Sequence, residues 1–246
     1  MAITIVLVTT TALLAATVQA TAGLGFALIV TPVLFLEMSP ASAIVTATVL
    51  GILLNLLVLF AEPRRPTPAW DEVLPILAAA IPGAACGVVL LAALPRPALQ
   101  VFVGMTVIAA ALLRTRRPGR SRRRGARSRL ALGYVVGALS TSTGINGPPL
   151  ALWLAGRGLS PAQVRDSLST AFLGTGVIAT LTIVPVVSHA RLPAAIIGAA
   201  AGGVLVGHAV GSRLFTRLAV ARYDHVLLAI ILAAGAGSLV AGATSL

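Results

Sequence analysis

A chain of 246 residues with 58% hydrophobic and 10% charged residues is too apolar for a soluble domain, in which about 25% are charged. All 18 basic residues are arginine, and the net charge is +12. Nine arginines crowd into Arg114–Arg129 between apolar stretches, which marks a solvated, topology-setting loop beside anionic lipid rather than a nucleic-acid surface.

The first apolar stretch, 1–36, is too long for one straight span of about 20 residues. Val18-Gln19-Ala20 resembles a cleavage site, but no basic residue precedes Arg64, so the segment is expected to be retained rather than removed as a signal peptide. Stretches 41–60 and 73–94 each suffice to span, and 98–113 is adequate with tilt. Cys86, the single cysteine, excludes an intrachain disulfide and reads as a small core residue. After the arginine loop, 130–156 is again too long for one helix, and 168–187, 192–212 and 226–246 are each long enough to span.

Residues 21–41 (T-A-G-L-G-F-A-L-I-V-T-P-V-L-F-L-E-M-S-P-A) and 142–162 (S-T-G-I-N-G-P-P-L-A-L-W-L-A-G-R-G-L-S-P-A) repeat one another. At an offset of 121 residues Gly23 meets Gly144, and Ser39-Pro40-Ala41 meets Ser160-Pro161-Ala162. Both serines read as N-caps with proline at the first helical position, and Gln163 completes a capping box. Gly83–Gly87 and Gly203–Gly207 are paired small-xxx-small patterns suited to close helix packing. The expected architecture is an all-α polytopic membrane protein of two homologous halves, 1–113 and 130–246, joined by the loop 114–129. Each half is a glycine-broken segment, re-entrant or a pair of short helices, followed by three transmembrane helices.

Orientation follows from arginine counting. If each broken segment crosses once, 12 arginines lie with the loop and 6 opposite; if each enters and returns, the division is 16 (Arg157, Arg165, Arg213, Arg217 and Arg222 joining the loop side) to 2, Arg96 and Arg191. The positive-inside rule favours the second division, which makes the halves inverted repeats in the cytoplasmic membrane.

Non-helical backbone at membrane depth persists only inside protein or beside a water-filled cavity. Gly23, Gly25 and Phe26 in the first copy, and Gly144, Asn146, Gly147 and Pro148 in the second, interrupt apolar runs there. Each interruption frees backbone N–H groups at the start of a short helix, near 26–36 and 148–156, and the helix dipole adds positive potential. Thr21, Ser142 and Thr143 add hydroxyls and Asn146 an amide, so the set reads as a neutral anion-binding shell. A plain helix-packing role for the glycines is the competing reading. Arg165 either draws anions toward the cavity or is an interfacial topology residue, with Asp166 favourably placed near a helix N-terminus. His208 is a proton shuttle or an interfacial histidine. Asn55, Thr46 and Thr48, with their counterparts Gly176, Ser167 and Ser169, line a pathway or bond helix to helix.

With G-L-G-F…P…S-P-A in one half and S-T-S-T-G-I-N-G-P-P…S-P-A in the other, the chain resembles the TauE/SafE family, often called sulfite exporters, over about residues 5–244. Gly23, Gly25, Phe26 and Pro32 match its first glycine-rich motif, and Gly144, Asn146, Pro148 and Pro149 its second. Ala27-Leu28-Ile29 departs from the family pattern, which has a glycine or proline there. The resemblance implies a secondary transporter, an exporter, of a small sulfur-containing anion such as sulfite or a sulfonate. A channel or permease for a carboxylate or metal ion is the alternative, and a non-transporting scaffold a more distant one. The expected partners are the anion and the bilayer, not nucleic acid, with homo-oligomerisation left open. With no HExxH, Cys/His cluster, P-loop, GxSxG or lysine, the reading is of a non-enzyme without cofactor.

Overall fold

The computed structural model describes residues 2–93, 125–185 and 194–217, with the single positions 95 and 98. These residues form eight helices and no strand. They are α1 (Ala2–Ala22), α2 (Phe26–Glu37), α3 (Pro40–Phe60), α4 (Trp70–Ala93), α5 (Ala126–Ser142), α6 (Gly147–Ala155), α7 (Pro161–Ile183) and α8 (Ala194–Arg217). Five of them, α1, α3, α4, α7 and α8, are long and apolar enough to cross a membrane. Large hydrophobic side chains such as Ile3, Phe60, Ile81, Val89 and Leu181 stand exposed on their outer faces, as a lipid-facing surface requires. The chain is a polytopic membrane protein, and the regular structure of its described residues is all helix. Stretches 98–113 and 226–246, and most of the arginine loop, lie outside the described residues.

One boundary differs from the sequence reading. The first broken segment is not two short helices: α1 runs 21 residues and only α2, with 12, is short. The chain stays helical until Gly23, because nothing before it in the apolar run costs helix. The helix α7 begins at Pro161, where the Ser160 cap put it, and so carries Arg165 and Asp166, both fully buried, ahead of the uncharged stretch 168–187. Their charge is neutralised by partners described below; the cap, not hydropathy, marks this helix start.

The serine caps explain where α3 and α7 begin. Ser39 (φ −61°, ψ 153°) accepts from the Ser42 N–H, and Ser160 (φ −65°, ψ 155°) accepts from the Gln163 N–H. At Ser160 the Gln163 side chain in return accepts the Ser160 N–H at 3.1 Å, closing a capping box.

The helices interlock rather than stand as separate halves. α1 packs along α8 and α4 along α5, while α3 lies against α7. Glycines set the first two approaches. A Cβ on Gly203, Gly207 or Gly211 of α8 would strike the backbone of Thr9, Leu13 or Thr17 on α1. A Cβ on Gly83 or Gly87 of α4 would strike Tyr134 or Ala138 on α5. Close backbone approach is how transmembrane helices gain dispersion contacts without a hydrophobic drive between them. The α3–α7 pair, bracketed by these two, faces both glycine breaks.

Candidate functional site

Two backbone breaks face one another across α3 and α7. Gly23 (φ 83°), Gly25 (φ 128°) and Gly144 (φ 71°) take positive φ, a region closed to most side chains, and so end α1 and α5. Between the breaks lies a cavity of about 60 Å³ of space that a water molecule's centre can reach. A cavity with that much room for water centres holds more than a single water and can admit a small ligand. Gly25, Phe26, Gly144, Asn146 and Gly147 all line it, together with residues from the middle of α3 and α7. Among the described residues lining it, none is charged.

The wall contributed by α1–α3 holds an amide chain. Gln19, buried in the last turn of α1, accepts the Phe26 N–H on its Oε1 at 3.1 Å and donates from Nε2 to Asn55 Oδ1 at 3.0 Å. Asn55 Nδ2 donates in turn to the Gly51 carbonyl at 2.7 Å. Both side chains line the cavity. The amides of Ala27 and Leu28, in the first turn of α2, have no partner within the helix. Phe26 itself lies over Gly51, 3.9 Å from where a Cβ would stand there.

The wall contributed by α5–α7 is built differently. Asn146 Nδ2 donates to Ser140 Oγ and, at 3.0 Å, to Thr175 Oγ1, tying α6 to α5 and α7. Pro148 and Pro149 have no N–H, so the start of α6 offers fewer backbone donors than the sequence reading expected. Here the aromatic comes from α7: Phe172 lies 3.4 Å from where a Cβ on Gly147 would stand.

The remaining site residues named from sequence sit outside this lining. Thr21 donates to the Thr17 carbonyl at 2.7 Å and lies 3.2 Å from the Gly211 carbonyl of α8, so its hydroxyl faces the α1–α8 seam. Ser142 donates to Ala138 and Thr143 to Leu139, while Thr143 Oγ1 accepts the Ile145 N–H at 3.2 Å and shapes the break. Gly23 and Pro148 act through backbone geometry. Of the pathway candidates, Asn55, Thr48 and Gly176 line the cavity; Thr46 contacts Met38 Sδ and Ser167 accepts the Ala69 N–H at 2.9 Å. Gln19, Ser140, Phe172 and Thr175 were missed. A polar amide one turn ahead of a glycine break was the available signal for Gln19.

Arg165 is fully buried, away from the cavity, in a cluster that joins the loop after α3 to the start of α7. Its guanidinium pairs bidentately with Glu62 and stacks 4.4 Å over the Phe215 ring. Arg64 pairs bidentately with Asp166 at 2.6 and 2.7 Å, and its Nε reaches Glu62 at 3.1 Å. Ser212 of α8 donates to Glu62 at 2.9 Å and lies 3.3 Å from His208 Nδ1. Burial pushes the Glu62 carboxyl up, but Arg165, Ser212 and Arg64 together outweigh it and hold it below the usual carboxylate range. Its hydrogen bonds to Asp166 keep Arg64 protonated more firmly than usual. A second contact links α4 to the end of α6: Glu72 accepts the Trp153 indole N–H at 2.8 Å and pairs with Arg157 at 3.1 Å.

The model of the sulfite exporter TauE/SafE family matches residues 8–238, nearly the whole chain. The chain belongs to this family. It is therefore a membrane transporter by family, and its helix breaks meet at a cavity that can admit a small ligand. No curated protein and no solved structure matches the chain.

Proposed function

We propose that the protein is a secondary transporter exporting a small sulfur-containing anion, such as sulfite or a sulfonate, across the cytoplasmic membrane. The observation that carries the reading is the neutral, hydrogen-bonding cavity at the meeting of two glycine-broken helices. Hydrogen-bond donors without a fixed positive charge bind an anion and still release it, which a carrier needs. The chain is read as two repeats, 1–113 and 130–246, joined by the arginine loop 114–129.

The repeats are read as inverted. Supporting this, ion pairs join Glu62, Arg64 and Glu72 to Arg165, Asp166 and Arg157. Those contacts put the loop after α3 at the same end of the molecule as the start of α7. A single crossing by each broken segment would set these two groups on opposite faces. Alternating access then follows from one half rocking against the other, with the Glu62–Arg165 and Arg64–Asp166 pairs fastening the cytoplasmic end when it is closed.

Counterflow of labelled sulfite, thiosulfate, sulfoacetate and acetate in proteoliposomes tests the function. Saturable exchange of a sulfur anion is expected. No exchange of any anion would overturn the carrier reading, acetate exchange alone would make it a carboxylate permease, and flux without saturation would make it a channel. Topology has a separate test: in a Cys86→Ala background, a cysteine at His189 is expected to label with an impermeant reagent in intact cells, and one at Arg217 to stay protected. The reverse pattern would overturn the inverted arrangement.

A further inference from the structure

The two walls of the cavity differ in what they offer a ligand, and hydrogen-bond bookkeeping fixes the difference. Backbone groups cannot swap roles, so they set the orientation of the side-chain amides. The Phe26 N–H requires an oxygen from Gln19, and the Gly51 carbonyl requires a nitrogen from Asn55. The bond between Gln19 and Asn55 then runs from Gln19 Nε2 to Asn55 Oδ1, as observed. Each amide nitrogen has two hydrogens and spends one, leaving one unspent on each of two residues that line the cavity.

Across the cavity the side-chain amide is spent the other way. Thr175 Oγ1 gives its only hydrogen to the Ala171 carbonyl at 2.8 Å, so it must accept from Asn146. The second amide hydrogen of Asn146 goes to Ser140. Both Asn146 donors are spent, and Asn146 Oδ1 is left as an acceptor without a partner among the described residues, beside the Ser140 hydroxyl, whose own hydrogen is bonded to none of them. Asn146 therefore offers the cavity a lone pair rather than the N–H that the sequence implied.

We infer that the cavity takes a singly charged oxyanion that still carries an acidic hydrogen, its oxygens on Gln19 and Asn55 and its hydrogen on Asn146 Oδ1. The inference rests on the cavity being the transporter's substrate site. For a sulfur oxyanion this form is hydrogen sulfite. A fully deprotonated dianion would set a lone pair against Oδ1. With no cation in the described lining, its desolvation cost, which scales with the square of the charge, would be about four times that of a monoanion. Methanesulfonate has the right charge and lacks the hydrogen. No titratable side chain lines the cavity among the described residues; Glu62, Arg64, Arg165, Asp166 and His208 belong to the cluster at the α7 start, and Glu72 and Arg157 pair near it.

The test is calorimetric titration of the purified full-length protein with sodium sulfite, sodium methanesulfonate and sodium sulfate at pH 6 and pH 8. The Kd for total sulfite is expected to rise several-fold from pH 6 to pH 8, following the hydrogen sulfite fraction. Methanesulfonate is expected to bind at least tenfold more weakly than sulfite at pH 6 and with an unchanged Kd at pH 8, which also controls for titration of the protein itself. Asn146→Leu is expected to bring hydrogen sulfite and methanesulfonate to similar affinities. Gln19→Leu should weaken every bound anion by about ten- to hundred-fold, the effect of losing one hydrogen bond to a charged group. Equal sulfite affinity at both pH values, or tighter binding of sulfate or methanesulfonate, would overturn the protonated-anion inference while leaving the transporter reading intact. Binding of none of the three anions at either pH would overturn both.

Discussion

The two glycine breaks occupy equivalent positions 121 residues apart, yet they are furnished in opposite ways. In the first, the aromatic Phe26 sits on the break and glycine (Gly51) on the helix it faces. In the second, glycine (Gly147) sits on the break and the aromatic (Phe172) on the helix. One ring and one glycine fill each contact, with their places exchanged. The amides are redistributed too: Gln19 and Asn55 serve the first wall, where the equivalent positions in the second are Ser140 and Gly176, and Asn146 serves the second, where the first has Gly25. Packing demands only that the combined volume at a contact be kept, so duplicated segments can drift apart by compensation. What drift gives this cavity is polarity, with amide donors from one half and an amide acceptor from the other.

The charged cluster is the largest asymmetry, since positions equivalent to Arg165 and Asp166 are Ile44 and Val45. Arg165→Met leaves the largely buried Glu62 carboxylate with Arg64 and Ser212 but without its bidentate partner, and is expected to cost about 1.5–3 kcal/mol, read as a drop in the thermal midpoint of purified protein. Glu62→Gln combined with Arg165→Gln should recover much of it, because no charge is left unpaired. A negligible loss in the single variant would place Glu62 in water.

A partial version of that loss is expected with acid. The Glu62 carboxyl lies below its ordinary value of 4.5 in the folded protein, so its pairing stabilises the fold above that pH and fades as pH falls through the depressed value. Thermal midpoints should therefore hold from pH 8 to pH 5 and fall only below about 4.5. In Glu62→Gln this acid limb should shrink, and an unchanged limb would assign it to other carboxylates.

Substitutions at the paired positions 25 and 146 sharpen the comparison of the breaks. Gly25, at φ 128°, should lose about 1–3 kcal/mol to alanine through backbone strain. Asn146 has φ −118°, so Asn146→Ala carries no such strain and acts only through lost hydrogen bonds, about 0.5–1.5 kcal/mol each. Equal losses with unchanged anion affinity would mean that both positions serve packing alone. Smallest of all should be Thr21→Val, about 0.5–1 kcal/mol with transport unchanged, since this hydroxyl bonds the α1–α8 seam. A transport defect there would return Thr21 to the site.

Much of the fold and part of the site were legible in advance. Length, hydropathy, the serine caps and the glycine motifs depend on neighbours in sequence, and they located α3, α4 and α8 to within a few residues. They also placed Gly25, Phe26, Gly144, Asn146 and Gly147 at a break beside a cavity. Arg165 was harder, because a buried arginine and an interfacial one have the same local sequence. Only a carboxylate 103 positions away distinguishes them.

By itself the sequence determined a polytopic helical membrane protein, the two interrupted segments, and membership of a transporter family, because spanning and backbone breaking are properties of short stretches of chain. Tertiary structure alone decided which side-chain amides are spent and which keep a donor. A hydrogen already bonded within the protein is unavailable to a ligand: Thr21 and Ser142 spend theirs one turn back in their own helices, and Asn146 spends both of its on Ser140 and Thr175 of neighbouring helices. Gln19 and Asn55 keep theirs because the Phe26 amide and the Gly51 carbonyl fix their orientation and their mutual bond, made only once α1 meets α3, uses one hydrogen of Gln19.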